Sequence, residues 1–319
     1  MSNSDWLRDA KLGIMVHFGL YSLYEGEYRG KKTNEWARYY NRIPRDEYHR
    51  LAEAFNPIYF DADEWIRYAK EAGAKYFVIT AKHHDGFALF DSKASDFNVV
   101  KATPFKRDII KEIADACKKY DIKLGLYYSQ DLDWDEPDAG GFIKNPFCNP
   151  ANNTWDYNPT NTFEDFQKFL DRKVKPQITE MLTNYGDICQ IWFDNPWTVR
   201  PEHSKQLRDL VKNIQPDCLC GGRIGNGYND IAGGGDNSYE LVADKVLPTE
   251  APVTLAGEDC WCFSVYNNTK YKSAEELLSY KKKLNDNGVT MLLNVGPDHL
   301  GRFPDPAVKI LQEMGRASK

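Results

Sequence analysis

Asp194 closes a run of strand-forming residues, Ile188 to Phe193, and Pro196 breaks the chain two residues later. A carboxylate at the end of a buried strand is held by the strand and still faces open space, which is what a nucleophile or general base requires. Trp192 and Trp197 stand close enough in sequence to wall it. The competing reading makes Asp194 a cap for the helix that follows. Other strand-like runs also end on polar residues. His17 lies near the end of the run from Leu12 to Phe18, His83 and His84 follow Tyr76 to Thr80, and Ser129 follows Ile122 to Tyr128. Arg223 lies near the end of Cys218 to Ile224, and Glu258 follows Val253 to Ala256. Carboxylates, imidazoles and a guanidinium gathered in one place can attack an electrophilic carbon, move protons and hydrogen-bond a polar ligand.

Other chemistries fit less well. Adjacent strand residues point to opposite faces, so His83 and His84 make a poor metal pair, and no His-x-His or His-Glu-x-x-His accompanies them. Cys218-x-Cys220 and Cys260-x-Cys262 are spaced more tightly than usual zinc ligands and read as reduced structural thiols. The reading therefore expects no metal and no cofactor. No Gly-x-Gly-x-x-Gly opens a helix after a strand, and the Gly-rich stretch 221–235 has no Walker-type Lys, which disfavours nucleotides. With 41 Lys+Arg against 47 Asp+Glu, the net charge of -6 offers nothing to nucleic acid or an anionic membrane. A small neutral ligand suits better, and the 43 Trp, Tyr and Phe side chains supply aromatic faces of the kind that sugars stack on, besides core. No apolar run is long enough to span a membrane. The first residues lack the basic-then-apolar pattern of a secretory leader, and seven cysteines, an odd number, suit a reducing compartment, so the expected location is the cytoplasm.

The elements that must position these residues alternate from end to end. Asp61 and Glu64 box the start of a helix with Trp65, Ala69 and Ala72 on one face, stopped by Gly73. Ile109, Ile113 and Cys117 mark the next helix, and Phe166, Leu170, Val174, Ile178 and Leu182 a longer one that Pro176 should kink or divide. Leu207 to Ile214, a helix boxed by Ser273 and Glu276, the strand Val289 to Val295 and a helix opening at Asp305-Pro306 complete the series. Residues 131–162 and 225–250 read as long loops, the second carrying Asp230, Asp236, Glu240 and Glu250. Strand–helix alternation with polar residues after the strands predicts an α/β fold, a single-domain (β/α)8-type barrel over residues 1–319 with its site on the C-terminal rim.

Seven motifs then carry a resemblance: Gly13 to Gly19, Glu35-Trp36, Lys82 to Phe87, Gly125 to Ser129, Trp192 to Asp194, Gly222-Arg223 and Leu293 to Pro297. In this order they resemble the α-L-fucosidases of glycoside hydrolase family 29, whose catalytic domain is a barrel of the same kind. The resemblance implies a retaining exo-glycosidase that releases terminal α-L-fucosyl residues, with Asp194 as nucleophile and His17, Glu35, Trp36, His83, His84, Tyr127, Trp192 and Arg223 around the sugar. Its partner would be a fucosylated oligosaccharide or glycoconjugate. The acid/base falls in a divergent region. The segment around Asn229-Asp230-Ile231 and Gly234-Gly235-Asp236 resembles the one that carries the acid, which points to Asp236, while Glu258 is the rival directly after a strand. The β-sandwich common in the family is expected to be missing after the closing helix. Taken singly, Trp36 and Tyr127 would read as core and Arg223 as a surface ion pair. Two other functions compete: a catalytically inactive fucose-binding barrel, and a retaining glycosidase for a related 6-deoxy or galacto-configured sugar.

Overall fold

A computed structural model describes residues 4–143, 150–157, 162–257, 260–267 and 270–317. Eight strands run parallel: β1 (Leu12–Val16), β2 (Tyr76–Lys82), β3 (Lys123–Tyr128), β4 (Ile188–Phe193), β5 (Leu219–Gly222), β6 (Ala232–Gly233), β7 (Thr249–Thr254) and β8 (Val289–Val295). β8 returns to β1, pairing Met291–Val295 with Leu12–Val16, so the sheet curls into the expected barrel. Between β5 and β6 there is no ladder. Asp230 spans that seam instead, its backbone N–H donating to the Cys220 carbonyl at 2.9 Å and its carboxylate accepting from the Cys220 N–H at 2.9 Å. A residue read as part of a loop thus closes the barrel.

Six of the eight strands coincide with apolar runs in the sequence, and the other two depart from it for identifiable reasons. β6 is two residues of Ala and Gly, with no side-chain pattern to announce it. β7 begins at Thr249, four residues earlier than its apolar run, because Glu250 and Pro252 look like loop. Glu250 in fact lies inside the barrel, accepting from Tyr76 Oη, Trp192 Nε1 (2.8 Å) and Gln190 Nε2 (3.2 Å). Those donors replace the water lost on burial.

From Ala62 onward the long helices cover the outside where the 3.6-residue pattern predicts them, while the helices Asp5–Ala10 and Arg45–Ala54 before that point were not anticipated. α1 (Asp5–Ala10) plugs the N-terminal mouth, its Leu7 carbonyl accepting from Thr290 Oγ1 at 2.6 Å. α2 (Arg45–Ala54) and α3 (Ala62–Glu71) follow β1, and the Asp61 side chain accepts from the Glu64 N–H as the capping pattern requires. α4 (Ile109–Tyr120) precedes β3. α5 (Phe163–Phe169) continues through a π turn, Leu170–Val174, into α6 (Lys175–Asn184). The division expected at Pro176 takes this form: proline offers no N–H and crowds the preceding turn, which widens to the Lys175 N–H to Leu170 carbonyl bond. α7 (Pro201–Ile214), α8 (Ala274–Asp286) and α9 (Asp305–Ala317) complete the coat. No helix among the described residues is long and apolar enough to cross a membrane.

The apolar core forms two layers. Met15, Tyr76, Val78, Tyr127, Trp192 and Leu292 fill the barrel, while the larger cluster lies between strands and helices. The long loop after β3 is pinned by three buried acids. Asp131 accepts from the Val199 N–H (3.0 Å), Asp133 pairs with Lys82 and Lys173 (both 2.9 Å), and Asp135 with Arg45 (3.2 Å) and His49 (2.6 Å). The rim is therefore a rigid surface on which a site can be built.

Candidate active site

At the C-terminal end of the barrel, a cavity of about 230 Å3 is lined by His17, Asn34, Glu35, Trp36, Tyr40, His83, Tyr127, Trp192, Asp194, Asn195, Arg223, Asp236 and Trp261, with Met15 at its floor. It is smaller than the usual drug-sized pocket and suits one sugar ring. Most residues singled out in the sequence meet here. His84 lies behind this wall, and Glu258 lies outside the described residues.

Asp194 is the first residue past β4, and its own N–H donates to Gln130 Oε1 at 2.9 Å. Tyr127 donates to its Oδ2 at 2.7 Å, while Arg223 (2.7 Å) and the Asn195 N–H (2.9 Å) serve Oδ1. Burial pushes this carboxyl's pKa up, but the charge of Arg223, the neighbouring His84 and the donors from Tyr127 and Arg223 outweigh it, and the net shift is downward. Asp194 is held ionised, as attack requires. The capping role considered from sequence does not apply: Arg200 precedes the next helix and its backbone pairs with His203.

Arg223 reaches this position through backbone geometry. Gly222 adopts φ +57°, where a Cβ would lie 2.2 Å from the Phe193 carbonyl oxygen and 2.8 Å from the Trp192 ring. Only glycine lets the chain press so close. The Arg223 N–H then donates to that carbonyl at 2.6 Å, and the guanidinium lies 5.3 Å from the centre of the Trp192 ring. One guanidinium nitrogen holds Asp194 and the other holds Asp236. Asp236, 48% exposed, is not buried beside Asp194 as a closed loop would make it. Arginine offers only donors, so the Asp236 oxygen it engages is turned away from acid chemistry in this arrangement.

The histidines can be assigned from their neighbours. Asn294 donates from Nδ2 to the Trp261 carbonyl at 2.6 Å, which turns its Oδ1 to His17 Nδ1 at 2.7 Å. His17 therefore carries its proton on Nδ1 and leaves Nε2 as an acceptor. Burial, countered in part by Asn294 and Asp194, lowers its pKa to about 4. Ser129 donates to the Leu132 carbonyl at 2.8 Å, so it accepts from His84 Nδ1 at 2.6 Å, and His84 Nε2 accepts from Asn195 Nδ2 at 2.9 Å. His84 is neutral, its pKa lowered by burial to about 3, and it steadies Asn195 from behind. His83 is also held neutral by burial. Both rings lie past the end of β2, with centroids 4.1 Å apart, so the opposite-face argument made from sequence does not govern them.

Glu35 comes from the loop after β1, and its Oε2 accepts from the backbone N–H of Trp261 (3.0 Å) and Cys262 (3.4 Å). Burial, offset by those donors, raises its pKa to about 7. Trp36 meets the His84 ring edge-on at 4.9 Å and stacks with the exposed Tyr40 at 5.9 Å. Trp197, expected as a wall of Asp194, lies 6.0 Å from Trp36 and does not line the cavity. Asn34, Tyr40, Asn195 and Trp261 escaped the sequence reading. Asn195 could have been flagged by its place beside Asp194, whereas Trp261 was hidden between two cysteines that drew the attention.

A parallel barrel with an ionised strand-end carboxylate, a second carboxyl on the same guanidinium and neutral hydroxyl-reading side chains defines the class as a glycoside hydrolase barrel. A family model described as Alpha-L-fucosidase matches residues 1–317, and the chain belongs to that family. It is similar to the unliganded alpha-L-fucosidase AlfC from Lactobacillus casei, with 43% identity, coverage of 99% of this chain and 97% of that one, and a TM-score of 0.91. The same enzyme in complex with alpha-L-fucose product gives 43% identity, 99% and 98% coverage, and a TM-score of 0.90. A relative from Caenorhabditis elegans is 28% identical over 98% of this chain, and the chain spans only 64% of that relative's length.

Proposed function

We propose that this chain hydrolyses terminal α-L-fucosides of oligosaccharides or glycoconjugates with retention of configuration, and that residues 1–319 act as one catalytic barrel. The observation that carries this reading is Asp194, kept ionised at a strand end by Tyr127 and Arg223 and open to a cavity of monosaccharide size. AlfC bound to fucose supports the sugar.

In the first step Asp194 attacks the anomeric carbon, and the glycosidic oxygen leaves with a proton from Asp236. In the second, Asp236 takes a proton from water, which displaces the sugar from Asp194. A retaining pair stands about 5–5.5 Å apart, and a shared hold on Arg223 suits such closeness. Asp236 must first let go of Arg223 to present its proton. Of the other acids in its loop, Asp230 closes the barrel, Glu240 pairs with Lys283 at the surface, Asp244 accepts from the N–H groups of Val246 and Leu247 and Glu250 is sealed inside. His17 Nε2 accepts from one sugar hydroxyl, and Glu35 and Arg223 read others. A site built this way rejects sugars lacking those hydroxyls far better than packing alone. A cytoplasmic setting belongs to this proposal and rests on the odd set of seven cysteines, which suits reduced thiols.

The test is turnover of an aryl α-L-fucoside beside the matching α-L-rhamnoside and β-D-galactoside. Strong preference for the fucoside is expected. Equal or better turnover of either competitor would move the assignment to another sugar, and no turnover of any would favour a binding barrel.

A further inference from the structure

Cys260 and Cys262 face one another across 3.8 Å, next to Glu35. Two sulfurs bound tetrahedrally to one metal at ~2.3 Å stand about 3.8 Å apart, so the pair already has the spacing of a chelate. A carboxylate oxygen of Glu35 lies within 4.8 Å of both sulfurs, and all three side chains are buried. The frame is fixed before any ion arrives: Glu35 accepts from the N–H groups of Trp261 and Cys262, and Asn294 holds the Trp261 carbonyl. A cavity of about 10 Å3, lined in part by Cys260, Cys262, Tyr271 and Asn294, adjoins the sulfurs, and that is room for one water-sized guest.

The geometry points to a site for one thiophilic divalent cation, of the zinc or cadmium kind, on Cys260, Cys262 and Glu35, whose occupancy inhibits the enzyme. Two thiolates and a carboxylate select soft or borderline ions over Mg2+ and Ca2+. Binding releases the two thiol protons to solvent, together with the Glu35 proton wherever that carboxyl is still protonated, so affinity rises with pH. Inhibition follows from position. Glu35 lines the sugar cavity, and coordination draws its carboxylate toward the sulfurs and away from the ligand. Trp261, between the two cysteines and 5.3 Å from the His17 ring, moves with them.

The experiment uses the whole chain, reduced with a phosphine, freed of metal and titrated with Cd2+ or Co2+ while thiolate-to-metal absorption is followed in the absence of substrate. The expected result is one ion per chain, two protons released at a pH well above 7 and a third from Glu35 below it, and loss of fucoside turnover in step with the absorption band, reversed by a chelator. Cys260→Ser and Cys262→Ser should each lose the band, whereas the other closely spaced pair, tested as Cys218→Ser with Cys220→Ser, should keep it. Should either serine variant fail to fold, the other and the matching alanine variants read the same signal. An unchanged band in folded Cys262→Ser, or no band in the parent, overturns the site. Because the band is read without substrate, its failure is separate from failure of the fucosidase assignment.

Discussion

Replacing Gly222 by alanine tests how the backbone delivers Arg223 to Asp194. A left-handed non-glycine residue costs ~1–2 kcal/mol. At Gly222 the added Cβ would also lie 2.2 Å from the Phe193 carbonyl oxygen, a backbone atom that cannot swing aside, and the Arg223 N–H bond to that carbonyl would break. Crowding of this kind costs ~1–3 kcal/mol and the lost bond about 1, for a total of roughly 3–6 kcal/mol. With about 2 °C per kcal/mol for a large domain, the melting temperature should fall by roughly 6–12 °C. Gly73 is the control: it is left-handed too, at φ +90°, with nothing within 4 Å of an added Cβ. Gly73→Ala should fall only ~2–4 °C. Below both melting points, Gly222→Ala should also lose kcat/KM, since an active-site shift on the order of 1 Å costs about 10²-fold. Calorimetry and aryl-fucoside kinetics on the two variants decide the matter. Equal melting losses, or wild-type kcat/KM in Gly222→Ala, would refute the argument from close approach.

The other predictions concern protons. Asp194 has its pKa pulled down, so the active ionised form is lost as pH falls through that value; Tyr127→Phe removes one of the donors responsible and should move the acid limb of kcat/KM to higher pH. A limb that stays in place would count against the Tyr127 bond. His17 titrates near 4 folded against 6.5 unfolded, so the unfolded chain binds more protons in that window and stability falls as pH drops through it. The contribution is on the order of 3 kcal/mol, and His17→Gln should flatten the pH dependence of Tm between those values; an unchanged slope would contradict its buried neutral state. Asp236→Ala should cripple natural fucosides while sparing an activated aryl fucoside, with azide then giving the α-fucosyl azide. If Glu258→Ala shows that pattern and Asp236→Ala does not, the two roles exchange.

The barrel was legible because six strands are apolar runs buried on both faces and the helices carry capping pairs and period-four apolar positions. β6 was not, since Ala232 and Gly233 owe their pairing to neighbouring backbone rather than to their own side chains. Glu250 misled for a related reason: a carboxylate inside a barrel is tolerable only because Tyr76, Gln190 and Trp192 all donate to it, and those three come from β2 and β4. In the site, residues at strand ends announced themselves, as Asp194 and His17 do. Asn34 and Trp261 arrive on irregular loops and Tyr40 on a single helical turn, Ala37–Tyr40, too short to show a periodicity, so only long-range bonds such as Glu35 to the Trp261 N–H decide the outcome. Asp236 was singled out by motif, but its half-exposed tie to Arg223 depends on three-dimensional charge placement that spacing does not encode.

Trapping the covalent intermediate tests the central claim most directly. A 2-fluoro-fucosyl fluoride should inactivate the enzyme with one label per chain, and peptide mass spectrometry should find the ester on Asp194. Asp194→Asn should in parallel lose at least the ~10²-fold expected of a catalytic group, with azide restoring turnover as the β-fucosyl azide. A label on another carboxylate, or near-normal turnover by Asp194→Asn, would contradict the account.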